Sequence, residues 1–208
     1  ASEYIGLVFD APGETFRDRA YKEYKATRPP APPDIPFQVE KVKEITETMG
    51  MPRFEIEGYE ADDVLATLAL KLKEHGDVYI ATSDKDLLQM VKDNIYVYDA
   101  YQDLIYDRDR VLAKFGIAPE QIPTYLALTG DTIDNVPGVP GIGPKRALEI
   151  IKKYGDLDEA LKNEARLKGN RDRALLSREL IELKTDVPLE VDIEALRVRE
   201  PDIDRLMP

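Results

Sequence analysis

The stretch VYIATSDKD, residues 78–86, joins a short apolar run to two carboxylates. This succession of an apolar run and an acidic turn is the main indication of the fold. An apolar run followed by turn-forming residues is typical of a strand buried on both faces. The run YIGLVF, residues 4–9, has the same character and ends at Asp10. Amphipathic helical patterns lie between such runs, as in residues 60–73. This alternation predicts an α/β fold with a mostly parallel sheet flanked by helices.

The same patterns extend along the chain and then change. Two more strands and two more helices are predicted: RFEIE (53–57), IYVYDA (95–100), residues 37–49 and residues 108–115. After residue 119 the strand patterns stop and the chain is mostly helical. We therefore expect an α/β core over residues 1–118, from which the segment 12–36 departs, and a helical subdomain over residues 119–208.

Eight carboxylates stand near the points where predicted strands end or predicted helices begin. They are Asp10, Glu60, Asp62, Asp63, Asp84, Asp86, Asp131 and Asp134. The functional side chains of an α/β sheet converge at the carboxyl ends of its strands. So many like charges repel each other unless a cation neutralises them, and oxygen ligands suit hard cations such as Mg²⁺ or Mn²⁺. The pattern predicts a phosphodiester-hydrolysing site, where two cations about 4 Å apart stabilise the attacking and leaving oxygens.

Each acidic motif alone has a simpler interpretation. Glu60 and Asp63 suit the first turn of a helix, where carboxylates meet the positive end of the helix dipole. The DKD of residues 84–86 suits a solvated turn, and Asp131 or Asp134 suits a helix N-cap. All four motifs in one chain favour the metal site.

The composition excludes several classes of protein. The chain has 208 residues, a formal net charge of −12 and no cysteine, so disulfide, thiolate and zinc–sulfur chemistry is excluded. The one histidine, His75, lies in a polar run and is expected to be solvated. No apolar run is long enough to span a membrane and no signal-peptide pattern opens the chain, so we expect a cytoplasmic protein with no membrane partner. Because the eight carboxylates carry much of the negative charge, the net charge does not argue against a nucleic-acid partner.

A glycine-rich stretch, VPGVPGIGPKRA (136–147), lies between two helical patterns. Its glycines and basic residues are Gly138, Gly141, Gly143, Lys145 and Arg146. Glycines at this spacing allow tight backbone turns, and the N–H groups at the start of the following helix can bind phosphate. An ordinary glycine turn is the alternative. The pattern favours a helix-hairpin-helix that binds duplex DNA by its phosphates without reading sequence.

Two further basic segments are candidate nucleic-acid contacts. In residues 12–36 basic side chains are interleaved with aromatic ones, which suits a single strand, but acidic residues there suit a solvated helix equally well. The later stretch comprises Arg166, Lys168, Arg171, Arg173 and Arg178. This later stretch is interpreted as a solvated helix surface or as an extension of the duplex contact.

Several motifs together are similar to the 5′ nuclease domain of bacterial DNA polymerase I, which belongs to the flap-endonuclease family. They are VFDA, FRDRAYKEYKATRP, GYEADDVLA, TSDKDLLQ, LTGDTIDNVPGVPGIGPKRA and TDVPLEVD, in the family's order over nearly the whole chain. The resemblance implies a parallel α/β core with a helical arch in segment 12–36 and a helix-hairpin-helix. It also implies Mg²⁺-dependent cleavage at 5′ flaps and 5′ ends of DNA and removal of RNA primers, in replication and repair.

The resemblance also implies residue roles and partners. The eight carboxylates take the metal-ligand places, for Mg²⁺ or a substituting Mn²⁺, and K⁺ is implied at the helix-hairpin-helix. Arg17, Lys25 and Arg28 fall on basic positions of the arch, and Lys25 and Arg17 are expected to contact the scissile phosphate. The implied partners are DNA with a 5′ flap, nicked or junction duplexes and RNA primer–DNA hybrids. A monomer is expected, joined to a polymerase domain where the parent protein is longer.

The start of the chain departs from the family pattern. Family members begin with a strand that ends in Asp-Gly, whereas this sequence starts near what resembles the second strand. The departure motivates an alternative function, a catalytically impaired module that binds DNA junctions and lacks one metal ligand. A phosphatase on the same sheet is a third hypothesis, which explains the acids but not the glycine stretch.

Overall fold

The computed structural model describes residues 3–206 and contains both strands and helices. The strands are β1 (Leu7–Val8), β2 (Arg53–Phe54), β3 (Val78–Ala81), β4 (Ile95–Asp99) and β5 (Leu104–Tyr106). The helices are α1 (Phe16–Ala20), α2 (Ile35–Thr48), α3 (Ala61–Leu72), α4 (Arg108–Phe115), α5 (Ile122–Thr129), α6 (Pro144–Tyr154), α7 (Leu157–Asn163), α8 (Arg171–Ile181) and α9 (Ile203–Leu206). The predicted α/β fold class is confirmed.

Two compact units interleave along the chain. The first unit contains the described residues up to Thr15, the segment Pro29–His75 and the described residues from Lys184 onward. The second unit contains Phe16–Arg28 and Gly76–Leu183. Each unit therefore draws on residues that are far apart in the sequence. The boundary that the sequence suggests at residue 118 falls within the second unit and stays a prediction.

In the first unit, a two-stranded parallel sheet supports a helix. Strand β1 pairs with β2, with Leu7 opposite Arg53. Helix α3 packs against β1 and buries Val64, Leu68 and Leu72 on one side. Each fully buried aliphatic side chain contributes about 1.5–3 kcal/mol, so this apolar face is sufficient to fix the helix on its neighbours.

In the second unit, the sheet has three strands. Strand β3 pairs in parallel with β4, with Val78 opposite Ile95, and β5 pairs with β4 in the antiparallel sense. Along β4 the buried residues Ile95 and Val97 alternate with half-exposed tyrosines, which is the period of a strand with one covered face. The parallel β3–β4 pair places the loop after β3 at the carboxyl edge of this sheet.

Strand β5 is the main departure from the sequence-based expectation. A run of three residues carries too little periodicity to indicate a strand. The turn before it is held by Asp99, whose Oδ1 accepts hydrogen bonds from the N–H groups of Tyr101 and Gln102 at 3.0 and 3.2 Å. Asp103 then adopts a left-handed φ of 49°. Among the described residues, the strands form two sheets rather than one, because β1 and β2 pair only with each other.

Helices α5 to α8 pack together in the second unit, with α5 against both α8 and α6, and α6 against α7. Helix α6 begins at Pro144 and buries Ala147, Ile150 and Ile151 on one side. The segment predicted as an arch is not one long helix: α1 has five residues, and hydrogen-bonded turns follow over residues 22–27. Within residues 3–206, no helix combines the length and the apolar character needed to cross a membrane.

Candidate active site

The loop after β3 carries the two acids of the TSDKD motif. Asp84 precedes a 3-10 turn, and its Oδ1 accepts a hydrogen bond from the N–H of Asp86 at 2.8 Å. The N–H of Asp84 donates to Oγ1 of Thr82 at 3.0 Å. Local hydrogen bonds therefore hold both acids just beyond the strand, and the side chain of Asp84 remains exposed to solvent.

Asp86 is half-buried and strongly perturbed. Burial, followed by the negative charge of Asp84, raises the pKa of Asp86 from its ordinary 3.8 to about 7. Its Oδ1 is buried and accepts no hydrogen bond from the part of the chain that the structure describes. Such an oxygen beside a second carboxylate is unfavourable as an anion. A hard divalent cation would satisfy it, so the donor set of Asp84 and Asp86 fits a metal ligand pair.

Asp131, in the loop after α5, is buried but well compensated. Its Oδ2 accepts a hydrogen bond from Nζ of Lys85 at 2.6 Å, and its Oδ1 accepts one from the N–H of Ile133 at 2.7 Å. Burial alone would raise the pKa of Asp131, but these hydrogen bonds outweigh burial and lower it. Burial alone would lower the pKa of Lys85, but its hydrogen bond to Asp131, together with the negative charges of Asp86 and Asp84, raises it. The lysine thus joins the two acidic loops of the second unit.

Asp134 is the point where the basic segment 16–28 meets the acidic loop. Arg28 donates to Oδ1 of Asp134 from Nε at 3.2 Å and also from Nη2, and Nζ of Lys25 lies 4.0 Å from Oδ2. The hydroxyl of Tyr24 donates to Oδ2 at 3.4 Å. The backbone is tied as well, since the N–H of Lys25 donates to the carbonyl of Asp134 at 2.9 Å. Two predicted phosphate-binding residues therefore contact a predicted metal ligand directly.

Arg17 has a different environment from Lys25 and Arg28. Only 1% of its surface is exposed. Its Nε donates to the carbonyl of Leu180 at 2.7 Å, and its Nη2 donates to the carbonyl of Glu182 at 3.2 Å. The guanidinium thus binds the carboxyl end of α8 instead of facing solvent. Its predicted contact with the scissile phosphate stays a prediction, and the structure shows an internal anchor.

The acids of the first unit cap helix α3. Oδ1 of Asp10 accepts the N–H of Ala61 at 2.7 Å, and Oδ2 of Asp63 accepts the N–H of Glu60 at 3.1 Å. Asp63 is fully buried, and its Oδ1 accepts the N–H of Lys184 at 2.8 Å. These bonds bring Asp10 close to the residues 60–63, although the two motifs are 50 residues apart in sequence. Asp63 thus lies in the first turn of α3, where the helix-start interpretation of Glu60 and Asp63 puts it, and Asp62 lies half-buried beside it.

The carboxylates are not gathered into a ready metal cage. Across residues 3–206, no three Asp, Glu or His side chains form a group that could hold a metal ion. Within the second unit, Lys85 and Arg28 hold two of the four acids in ion pairs. That all eight carboxylates serve one centre stays a prediction.

The glycine hairpin is closed by direct backbone packing. A Cβ on Gly138 would lie 2.4 Å from the backbone N of Gly130, and both residues have positive φ. Gly141 also has a positive φ, and its carbonyl accepts a hydrogen bond from Nη1 of Arg146 at 2.5 Å. By contrast, a Cβ on Gly143 would meet nothing within 4 Å. Gly143 and the exposed Lys145 lie at the start of α6, where unpaired N–H groups favour an anion.

Three members of the later basic stretch have partners within the chain. Arg178 pairs with Asp158 at 2.8 Å and Arg166 lies 3.9 Å from Glu164, while Arg173 donates to backbone carbonyls of the hairpin. Sequence reasoning missed Lys85 as a site residue, although its place between two candidate ligands in DKD is a usable signal.

Two family models match the chain in succession. The model described as "5′-3′ exonuclease, N-terminal resolvase-like domain" matches residues 1–116, and "5′-3′ exonuclease, C-terminal SAM fold" matches residues 117–204. A protein of Aquifex aeolicus named 5′-3′ exonuclease is 44% identical over 98% of this chain and 73% of its own length. The thermostable DNA polymerase I of Thermus aquaticus is also 44% identical, over 96% of this chain but only 25% of the polymerase.

Solved structures share the fold. The bacteriophage T5 5′-exonuclease with bound zinc ions has a TM-score of 0.75 at 23% identity, with 96% of this chain and 80% of that chain covered. The catalytic core of Rad2 in complex with DNA substrate has a TM-score of 0.55 at 24% identity, with 97% and 70% covered.

Proposed function

The chain belongs to the 5′-3′ exonuclease family, and from that premise we propose that it hydrolyses phosphodiesters at 5′ flaps and 5′ ends of DNA with divalent cations. The observation that supports this activity most directly is the buried Oδ1 of Asp86, which has no donor in residues 3–206 and lies beside Asp84. Family membership supplies the reaction class, and this pair of acids supplies a fitting place for the cation.

Asp84 and Asp86 of the second unit are proposed to hold Mg²⁺, with Mn²⁺ able to substitute, and the family resemblance adds Asp131 as a further ligand. The chemistry that a bound divalent cation supplies is activation of water and neutralisation of charge on the phosphate. Lys85 keeps Asp131 ionised by donating to its Oδ2. Of the remaining predicted ligands, Asp134 lies in the second unit and Asp10, Glu60, Asp62 and Asp63 in the first, and for all five the family resemblance carries the assignment.

Substrate binding is proposed to use the glycine hairpin and the basic segment. The start of α6, with Gly143, Lys145 and Arg146, would bind duplex phosphates through N–H groups and positive charge. Lys25 and Arg28 would contact the phosphates nearest the acids. Because such contacts do not read bases, RNA primer–DNA hybrids are included among the proposed substrates. The hairpin carbonyls are the proposed place for K⁺.

The alternative of a catalytically impaired junction-binding module finds no support in the comparisons, since both matching family models are those of an exonuclease. A phosphatase would explain the acids but would leave the glycine hairpin without a role. A flap nuclease accounts for both the acids and the hairpin.

Single-turnover cleavage of an end-labelled 5′-flap duplex tests the proposal. We expect cutting near the junction with Mg²⁺ and none with chelator. Asp86→Asn should reduce the cleavage rate at least about 100-fold while duplex affinity changes little, since ligand removal affects chemistry. Asp109→Asn, an exposed acid on α4, is the matched control and should cut normally. Equal loss of binding and cleavage in Asp86→Asn would show a structural role instead.

A further inference from the structure

Helix α8 contacts three functional segments of the second unit, although it carries none of the predicted metal ligands. These segments are the glycine hairpin, the basic segment 16–28 and the acidic turn after β3. The contacts run from one end of the helix to the other, and each is a hydrogen bond to or from backbone.

Two side chains of α8, one in its first turn and one near its middle, hold the hairpin. The N–H of Gly138 donates to Oγ of Ser177 at 3.0 Å, and Ser177 is fully buried. Arg173 donates from Nε to the carbonyl of Gly138 at 2.9 Å and from Nη2 to the carbonyl of Pro137 at 3.2 Å. Both polar backbone groups of Gly138 are thus bound by α8. Because Gly138 also packs against Gly130, the hairpin has little freedom to shift.

At the carboxyl end of α8, the helix carbonyls receive donors from the other two segments. Arg17 binds the carbonyls of Leu180 and Glu182, as described above. Gln89 donates from Nε2 to the carbonyl of Ile181 at 3.1 Å and to the carbonyl of Asp86 at 2.9 Å. Carbonyls at a helix end have no partner inside the helix, so these bonds satisfy groups that would otherwise be open.

We infer that α8 sets the distance between the duplex-binding hairpin and the acidic turn, and so selects which phosphodiester is cut. Positions 173 and 181 are eight residues apart, which is about 12 Å along a helix. One nucleotide of a DNA strand corresponds to about 3.4 Å along the duplex axis. A shift of the hairpin by a fraction of the helix length would therefore move the cut by a nucleotide. The inference rests on the proposed function and makes Arg173 and Ser177 positioning residues.

The role of Arg173 differs from a phosphate contact in a measurable way. Lysine keeps the positive charge but lacks the planar fork that donates to two carbonyls at once. A phosphate contact would survive Arg173→Lys, whereas the grip on the hairpin would not. Arg171, exposed on the same helix, gives the matched control Arg171→Lys. Ser177→Ala is a second variant, which changes no charge and leaves the N–H of Gly138 without its acceptor.

The experiment maps the cut at nucleotide resolution on a labelled 5′-flap duplex with Mg²⁺ and measures duplex affinity over a range of salt concentrations. For Arg173→Lys and Ser177→Ala we expect cuts spread over neighbouring phosphodiesters and affinity weakened about five- to tenfold. The slope of log affinity against log salt should equal that of the wild type, and Arg171→Lys should match the wild type throughout. Thermal unfolding establishes that each variant is folded at the assay temperature.

A single cut site at the wild-type position in both Arg173→Lys and Ser177→Ala would overturn the inference. So would a salt slope reduced by about one in Arg173→Gln with the cut site unchanged, since that result identifies a phosphate contact. Footprinting of the bound duplex in chelator needs no cleavage and separates the two proposals. If the wild type binds without cutting, the proposed function fails, and a displaced footprint boundary in the variants would still support the role of α8.

Discussion

Three acids of the second unit differ in how their charge is compensated. Asp131 has Lys85 and backbone N–H groups, and Asp134 has Arg28, but Oδ1 of Asp86 has no donor in the described part of the chain. The pKa is accordingly lowered for Asp131 and raised for Asp86. The surroundings thus give the carboxyl groups of Asp131 and Asp86 different pKa values. Asp86 is the acid whose charge a bound cation would stabilise most.

This difference predicts a pH dependence of stability for the metal-free protein. Since the folded pKa of Asp86 is raised to about 7, its contribution is favourable below the unfolded value near 3.8 and is lost as pH rises through 7. Between pH 5 and pH 8 in chelator, the unfolding free energy of the wild type should fall by about 2–3 kcal/mol relative to Asp86→Asn. Denaturant titrations at both pH values measure it. Parallel changes in the two proteins would show that Asp86 ionises without penalty.

Glycine positions in the hairpin should differ sharply in their tolerance of a side chain. Gly138→Ala places a Cβ 2.4 Å from the backbone of Gly130 at a φ of 58°. We expect a loss of about 2 kcal/mol or more in unfolding free energy, together with weaker duplex binding. Gly143→Ala is the control, because its Cβ would meet nothing within 4 Å. Equal stabilities of the two variants, measured by thermal unfolding, would contradict the close packing.

Single elements of the second unit have separable tasks. Helix α6 offers its amino end and exposed basic side chains, whereas α8 holds the hairpin that precedes α6. The short α1 and the turns after it carry Lys25 and Arg28 to Asp134, and Arg17 anchors them on α8. A binding surface and its support thus lie on neighbouring helices and can be altered independently.

The surface of α6 can be tested by reversing one charge. Lys145→Glu, at the first turn of α6, should weaken binding to all duplex sequences alike and reduce the salt slope by about one or more. Lys152→Glu changes the same charge in the last turn of the helix and should have a smaller effect. Binding isotherms at several salt concentrations on two unrelated sequences measure both. A loss confined to one sequence would contradict phosphate binding.

Two units interleave along the chain, so that the described residues from Lys184 onward belong with the first unit and segment 16–28 belongs with the second. Each unit contains its own acidic group at a chain turn or helix start. The proposed cation ligands of the second unit, Asp84, Asp86 and Asp131, come from two separate loops. A bound cation should therefore stabilise the fold of that unit.

Magnesium binding should be visible as stabilisation of the whole chain. At ten times its dissociation constant, a ligand that binds only the folded state adds about 1.4 kcal/mol. We expect Mg²⁺ to raise the melting temperature of the wild type and of Asp109→Asn, and to raise it little in Asp84→Asn. Calorimetry with and without chelator measures the shift. An equal shift in Asp84→Asn would place the cation elsewhere.

The sequence alone determined the features that depend on local patterns. Buried apolar runs, helical periodicity and turn residues indicated the α/β class, helix α4 at its observed bounds and the acids after β3, because these signals lie within about ten residues. The glycine pattern likewise indicated a tight hairpin before α6. Such signals indicate the secondary structure that each segment favours, independently of the elements that pack against it.

Only the tertiary structure decided which residues meet. Arg17 binds a carbonyl that is 163 residues away, and Lys85 binds an acid, Asp131, that is 46 residues away. Strand β5 forms because its backbone can pair with β4. The family resemblance implied a phosphate contact for Arg17, and in the structure packing buries this side chain against α8. Contacts of this range depend on how whole elements pack, and no local pattern encodes the partner. The sequence therefore indicates which residue types carry the chemistry of this chain. The packing of its elements decides which atoms those residues contact.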